Sequence, residues 1–162
     1  MHNFLYFNGT ITMISDFKIS ENDESGCYKL MSLQDGLGNL INFVVTPTTY
    51  FVDHVTMTLG DRVTGYYDAN APAPLIYPPQ FQAIVMAKDT QYQNVKVDYF
   101  DSQLMSSDGT LKLNISQHTQ ILLTNNQVFT RNPANRNLIV IYGPTTRSIP
   151  AQTTPYRIIV MC

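Results

Sequence analysis

The sequence predicts an all-β chain in which one β unit occurs twice. Three observations lead there. No stretch sustains an apolar stripe at helical spacing, because Asn, Thr, Gly and Pro interrupt each one. Short runs rich in Val, Ile, Thr, Tyr and Phe recur instead, bounded by Gly, Asn, Asp and Pro clusters. The third observation is a self-similarity between the two halves.

Strands are expected in order over residues 7–17, 28–34, 40–46, 62–68 and 81–88. The first run ends at a polar stretch that contains Cys27. The second and third flank Asp35-Gly36-Leu37-Gly38-Asn39, which reads as a hairpin turn and not as a phosphate-cradling loop. The fourth follows Gly60-Asp61, and the fifth follows the Pro-rich segment 71–79. A second series is expected over 95–100, 103–106, 110–116, 137–142 and 156–161.

The halves align in pieces. At an offset of 75, Gly65-Tyr66-Tyr67-Asp68 lies over Val140-Ile141-Tyr142-Gly143, and residues 81–86 lie over 156–161. A Pro-rich segment (71–79) or a Thr/Pro-rich one (144–155) stands between them. At an offset of 70, residues 41–49 match 111–119, and the difference falls in the connections 51–59 and 122–135, where loops absorb insertions. Each copy thus offers about five strands in roughly 75 residues. An immunoglobulin-like sandwich would want about seven strands and roughly 100 residues. The count fits two tandem small OB-like β-barrels, in which the loop before the last strand borders the usual ligand face. Domains are expected over 1–90 and 91–162, with the boundary near 88–94. The second copy is less complete at its start, which implies a barrel left open or completed by another strand.

The stretch 60–80, Gly-Asp-Arg-Val-Thr-Gly-Tyr-Tyr-Asp-Ala-Asn-Ala-Pro-Ala-Pro-Leu-Ile-Tyr-Pro-Pro-Gln, resembles a pattern in uncharacterised tandem β-barrel (OB-like) proteins of spore-forming Gram-positive bacteria, as does Thr145-Thr146-Arg147-Ser148-Ile149-Pro150-Ala151. The resemblance covers most of the chain. It implies a bacterial, spore-associated origin, and it brings no activity or functional residues with it.

Composition narrows the function classes. The chain has 162 residues, 44% of them hydrophobic and only 14% charged, against roughly 25% charged in an average domain. Neutral polar groups fill the gap: 17 Thr, 13 Asn and 10 Gln. Ten Lys/Arg against twelve Asp/Glu give a net charge of -2. There is no bulk positive field to condense on phosphates, so nucleic acid is a disfavoured partner. The longest apolar runs are a handful of residues, far below the ~20 that span a membrane. Residues 1–7 lack the basic start, long apolar core and small-residue cleavage site of a signal peptide. The expectation is a protein made in the cytoplasm without that signal, reaching the spore or cell surface by another route. Two cysteines, Cys27 and Cys162, make neither a disulfide scaffold nor a four-Cys zinc site. They read as free thiols, or as exposed thiols that cross-link neighbouring subunits.

Candidate chemistry is sparse. His2, His54 beside Asp53, and His118 come without metal-ligand or catalytic spacing and read as surface or loop residues. Cys27 has no nucleophile signature around it. No catalytic residue, metal or cofactor is expected, and a hydrolase using Cys27 or His54 is the weakest reading. The leading expectation is a non-catalytic structural or interaction protein, such as a filament or spore-surface subunit, whose partners are copies of itself. Low charge opposes association weakly. The apolar N-terminal arm, with Phe4, Leu5 and Tyr6, would add as a strand to a neighbour's open edge. The Pro-rich loop would present Leu75, Ile76 and Tyr77 as a stiff apolar patch. The alternative is an OB-type binding module for an oligosaccharide or single-stranded nucleic acid, using Tyr66, Tyr77 and Arg147. Tyr67 and Tyr142 are expected to fill the core with their hydroxyls at its polar end.

Overall fold

A computed structural model describes residues 2–22 and 24–162. The chain divides into two compact units, Met1–Asp89 and Thr90–Cys162. Both are all-β, and the described helical residues amount to one 3-10 turn at Val52–His54. The first unit holds β1 (Phe4–Phe17), β2 (Tyr28–Gln34), β3 (Leu40–Val45), β4 (Tyr50–Phe51), β5 (Arg62–Asp68), β6 (Gln80–Gln82) and β7 (Val85–Lys88). The second holds β8 (Asn94–Phe100), β9 (Leu111–Leu113), β10 (Gln120–Leu123), β11 (Arg136–Tyr142), β12 (Ala151–Thr153) and β13 (Arg157–Met161).

In the first unit β1 serves two neighbours. Its first half pairs antiparallel with β5, from Phe4↔Asp68 to Thr10↔Arg62. Its second half pairs with β2, from Thr10↔Gln34 to Phe17↔Tyr28, across a bulge between Ile11 and Met13. Gly9 marks the crossing: a Cβ there would lie 2.8 Å from the Gln34 carbonyl oxygen. β2 and β3 form the hairpin expected around 35–39. The Asp35 carboxylate closes it by accepting the Leu37 and Asn39 amides, both at 2.9 Å. Inward residues of these strands, Ile11, Met31, Leu33, Phe43, Val63 and Met86, make the core. Burying each of the larger ones contributes about 1.5–3 kcal/mol before chain entropy is charged.

Residues 80–88 change partners midway. β6 runs parallel to β3, whereas β7 lies antiparallel to β5 and parallel to β4. At the changeover the Ala83 amide donates to Val44 and the next amide, of Ile84, donates to Tyr66. One continuous segment therefore runs from β6, at one end of the ladder β4-β7-β5-β1-β2-β3-β6, to β7, next to the other end. The Ala83 carbonyl is taken by the Thr49 hydroxyl at 2.8 Å, and Thr49 Oγ1 accepts in turn from the Thr46 amide. The Tyr50 amide donates to the Ile84 carbonyl.

The second unit repeats this pattern of bonds. The Ser116 amide donates to Thr119 Oγ1, whose hydroxyl donates to the Pro155 carbonyl at 2.8 Å. The Gln120 amide donates to Tyr156, and the Tyr156 amide to Ile141. Here β13 pairs antiparallel with β11 and parallel with β10, β11 pairs antiparallel with β8, and β12 runs parallel to β9. Phe100, Leu111, Leu113, Leu138, Val140, Ile158 and Val160 form its core.

Several expectations change. Matching the bonds sets Ala83 against Pro155 and Ile84 against Tyr156, an offset of 72, so the alignment of 81–86 with 156–161 at 75 is three residues out of register. The connection before the last strand is shorter in the second unit, and a run of Ile, Val and Met hides such a slip. The strand expected over 103–106 survives only as two bridges, Phe100↔Ser106 and Met105↔Lys112, because Leu104 takes a left-handed conformation. The one expected over 110–116 stops at Leu113. The N-terminal arm is not free to be donated: Phe4, Leu5 and Tyr6 already pair with Asp68, Tyr67 and Tyr66 of their own unit. Met1 lies outside the described residues.

Two glycines give a stability test. A Cβ at Gly65 would lie 2.5 Å from the Phe43 ring, which is fully buried and cannot yield. A Cβ at Gly143 would meet the hydroxyl end of Tyr156, which is half exposed and can swing away. Gly65→Ala should cost about 1–3 kcal/mol of overpacking, and Gly143→Ala clearly less, as read by thermal denaturation. Equal losses would contradict the packing described for Phe43.

Candidate functional site

The loop between β5 and β6, residues 69–79, is held at both ends. At its root the Asp68 carboxylate accepts the Asn3 and Asn70 amides at 3.1 and 2.9 Å and faces His2 Nδ1 at 2.6 Å. At its far end the Pro79 carbonyl accepts the Asn42 amide, and Phe81 stacks on Tyr67 with centroids 4.0 Å apart. In between, Pro72, Pro74, Pro78 and Pro79 each fix their own φ and hold the residue before them extended. The Tyr77–Pro78 peptide bond is cis. Leu75 is fully exposed, Tyr77 is 80% exposed and Ile76 about half. With Pro74, Pro79 and Phe81 they border a shallow apolar depression of about 510 Å³.

This loop is where the expected patch of Leu75, Ile76 and Tyr77 lies. The tyrosines divide otherwise than the ligand reading requires. Tyr66 is only 7% exposed, so its ring offers no face to a base or sugar. Gly65 and Tyr67 on either side of it face Phe43 in the core, so alternation turns Tyr66 to the other face of β5, where it lies against the Tyr6 ring. Tyr67 packs against Phe43 in the core, and burial pushes its hydroxyl above the usual phenol range. Tyr142 packs against the core of the second unit, and its hydroxyl is raised by burial and then by the Asp108 charge. Arg147 is exposed on the corresponding loop of the second unit. That loop is braced by Thr146 Oγ1, which accepts the Gln152 amide, and by Ser148 Oγ, which donates to the Pro150 carbonyl. Its tip is Ile149, 96% exposed, a residue that sequence reasoning passed over. The signal was an apolar residue directly before a proline, the arrangement of Tyr77-Pro78.

Among the described residues the histidines and cysteines do not converge. His2 is engaged by Asp68, His118 is placed by its amide on Ser116 Oγ, and His54 has a left-handed backbone beside Asp53. Cys27 Sγ points to the Glu24 carboxylate at 3.8 Å, and Cys27 and Cys162 are both exposed and free. Among the described residues no group of three or more His, Cys, Asp or Glu side chains is placed to hold a metal ion. Nor is any described helix long and apolar enough to cross a membrane.

No protein-family model, curated protein or solved structure matches the chain. The loop and its bracing therefore stand on their own geometry.

Asp68 ties that geometry to pH. Burial alone would raise its carboxyl, but hydrogen bonds from the His2 ring and the Asn3 and Asn70 amides outweigh it and hold the group below the usual range. A depressed folded-state value stabilises above the unfolded value near ~3.9, and the contribution disappears as pH falls through the folded value. Asp68→Ala should lower stability at neutral pH by about 1–2 kcal/mol through the lost bonds. The gap between variant and parent should begin to narrow below about pH 4 and go on narrowing as pH falls through the folded value. A gap that persists unchanged in strong acid would contradict the role given to this carboxylate.

Proposed function

We propose that the chain is a non-catalytic structural subunit that associates with copies of itself, built from two OB-like barrels that arose by duplication. The recurrence of the Thr49–Ala83 arrangement at Thr119–Pro155 supports the duplication. So does the strand that changes partners in each unit. The order β1-β2-β3, then the β6–β7 segment, then β5 and back to β1 supports the barrel reading, since an OB-fold is a five-stranded Greek-key barrel.

The observation that carries the functional reading is the crest at Leu75, Ile76 and Tyr77. A soluble chain gains nothing by holding a leucine, an isoleucine and a tyrosine outward on a stiffened loop, and a loop already fixed in place loses little entropy when it docks. The second unit offers Ile149 on the equivalent loop. With so few charges in the chain, like-charge repulsion opposes contact between copies only weakly. Exposed Cys27 and Cys162 are available to lock such contacts under oxidising conditions.

A ligand reading retains one support, the exposed Tyr77 ring beside the apolar depression, which suits a sugar ring better than a phosphate chain because no cation lines it. Titration with neutral oligosaccharides distinguishes it, since a saturable signal lost in Tyr77→Ala would favour a binding module.

Sedimentation velocity over a range of protein concentrations tests self-association. The parent should grow in mass as concentration rises, and the triple variant Leu75→Ser, Ile76→Ser, Tyr77→Ser should associate at least about tenfold more weakly, the loss of two or more apolar anchors. A parent that stays monomeric at every concentration would overturn the proposal.

A further inference from the structure

The first half of β1 uses only one of its two edges. The Asn3 carbonyl accepts the Ala69 amide, and the Ile11 amide donates to Asp61 while its carbonyl accepts from Gly60. In an antiparallel ladder the partner alternates residue by residue, so the odd-numbered residues of this stretch face β5. The amides and carbonyls of Phe4, Tyr6 and Asn8 face the other way. On that side the neighbouring strand β2 begins its pairing only at Thr10↔Gln34. Among the described residues no strand pairs with this edge. Natural sheets protect such an edge with charges, prolines, inward-turning bulges or a covering element. Here residues 3–15 contain no charged residue and no proline. The bulge at Ile11/Met13 falls beyond the open part. Leu5 is 44% exposed and Tyr6 69%, so both sides of the strand are accessible to another chain.

We infer that this edge is a two-fold dimer contact, in which residues 4–8 of one copy pair antiparallel with residues 4–8 of a second. The inference rests on the self-association proposed above and names the surface that mediates it. The occupant follows from the bonding pattern. Each of the three outward-facing residues offers one donor and one acceptor, and the segment is complementary to itself when turned about Tyr6. Phe4 then stands opposite Asn8, Tyr6 opposite Tyr6, and all three are hydrogen-bonded pairs. The two Tyr6 rings become cross-strand neighbours on one face, and aromatic pairs of this kind stabilise antiparallel strands. Each Tyr6 ring is already backed within its own unit by Tyr66, with centroids 6.0 Å apart. An uncharged segment meets its own copy without repulsion. The arm is therefore not a strand handed to a neighbour. It is a strand already seated, whose spare edge receives one.

Two variants test this in the full chain. Tyr6→Lys puts like charges directly opposite each other in the dimer and should weaken association by at least about tenfold, with circular dichroism showing the fold retained, since Tyr6 is largely exposed. Tyr6→Cys, in a background where Cys27 and Cys162 are replaced by serine, should give a covalent dimer with a short bis-maleimide, because hydrogen-bonded pairs bring Cα atoms to about 5.5 Å. Leu37→Cys, an exposed site on the β2–β3 turn, should not. If the parent associates but Tyr6→Lys associates equally well and Tyr6→Cys cross-links no faster than Leu37→Cys, the edge contact is wrong while self-association stands. If the parent never associates, the functional reading fails and this contact fails with it.

Discussion

The constraint on which both units depend is a single backbone carbonyl that the sheet cannot satisfy. When one segment must pair with β3 in its first part and with β5 in its second, the ladder breaks at the changeover. A carbonyl left unpaired in a buried place costs about 1–3 kcal/mol. The Thr49 hydroxyl supplies the missing donor for Ala83, and Thr119 does the same for Pro155. Each threonine is positioned by an amide three residues earlier, from Thr46 or Ser116. These side chains let a short sheet turn back on itself without stranding a polar group. No buried side-chain nitrogen or oxygen among the described residues lacks a partner.

This change of partners bears on which groups remain for contact with other molecules. The Pro-rich loop enters directly from β5 and leaves directly into β6, so its two ends inherit the rigidity of paired strands. The apolar tip projects because the residues around it are already committed: Asp68 to its three contacts, Pro79 to Asn42, and Phe81 to Tyr67. On the opposite account, β1 is longer than either neighbour can cover, and its surplus is a stretch of edge with unused donors and acceptors. A chain this poor in charge has few means of shielding either feature. The loop tip and the bare edge are the surfaces on which the proposed self-association rests.

Much of this was legible in the residues, and the exceptions have definite causes. The strand over 62–68 and the turn at 35–39 follow from local pattern, because strand alternation and Asp-Gly chemistry are read within a few residues. The match of 46–49 with 116–119 was visible too, and its meaning lies in the Thr49 and Thr119 hydroxyls. The two-residue strand β4 and the short β10 and β12 carry too few residues to show a period, and exist because parallel neighbours recruit them. Tyr66 looked like a surface platform because its exposure depends on what flanks β5 in space. The apolar arm at Phe4, Leu5 and Tyr6 looked unattached because its partner, β5, lies some sixty residues further along the chain. No spacing rule within a short window reports such a pairing.

Amide hydrogen exchange, read residue by residue in dilute and concentrated protein, separates the edges that the fold consumes from the edge it leaves open. The Tyr50 and Ile84 amides should be protected at every concentration, since their bonds hold the changeover together within one chain. The Phe4, Tyr6 and Asn8 amides should exchange rapidly in dilute solution and slow down only as copies associate. Rapid exchange at those three positions in fully associated protein, or protection of all three in isolated monomers, would contradict the pairing of one copy's β1 with another's.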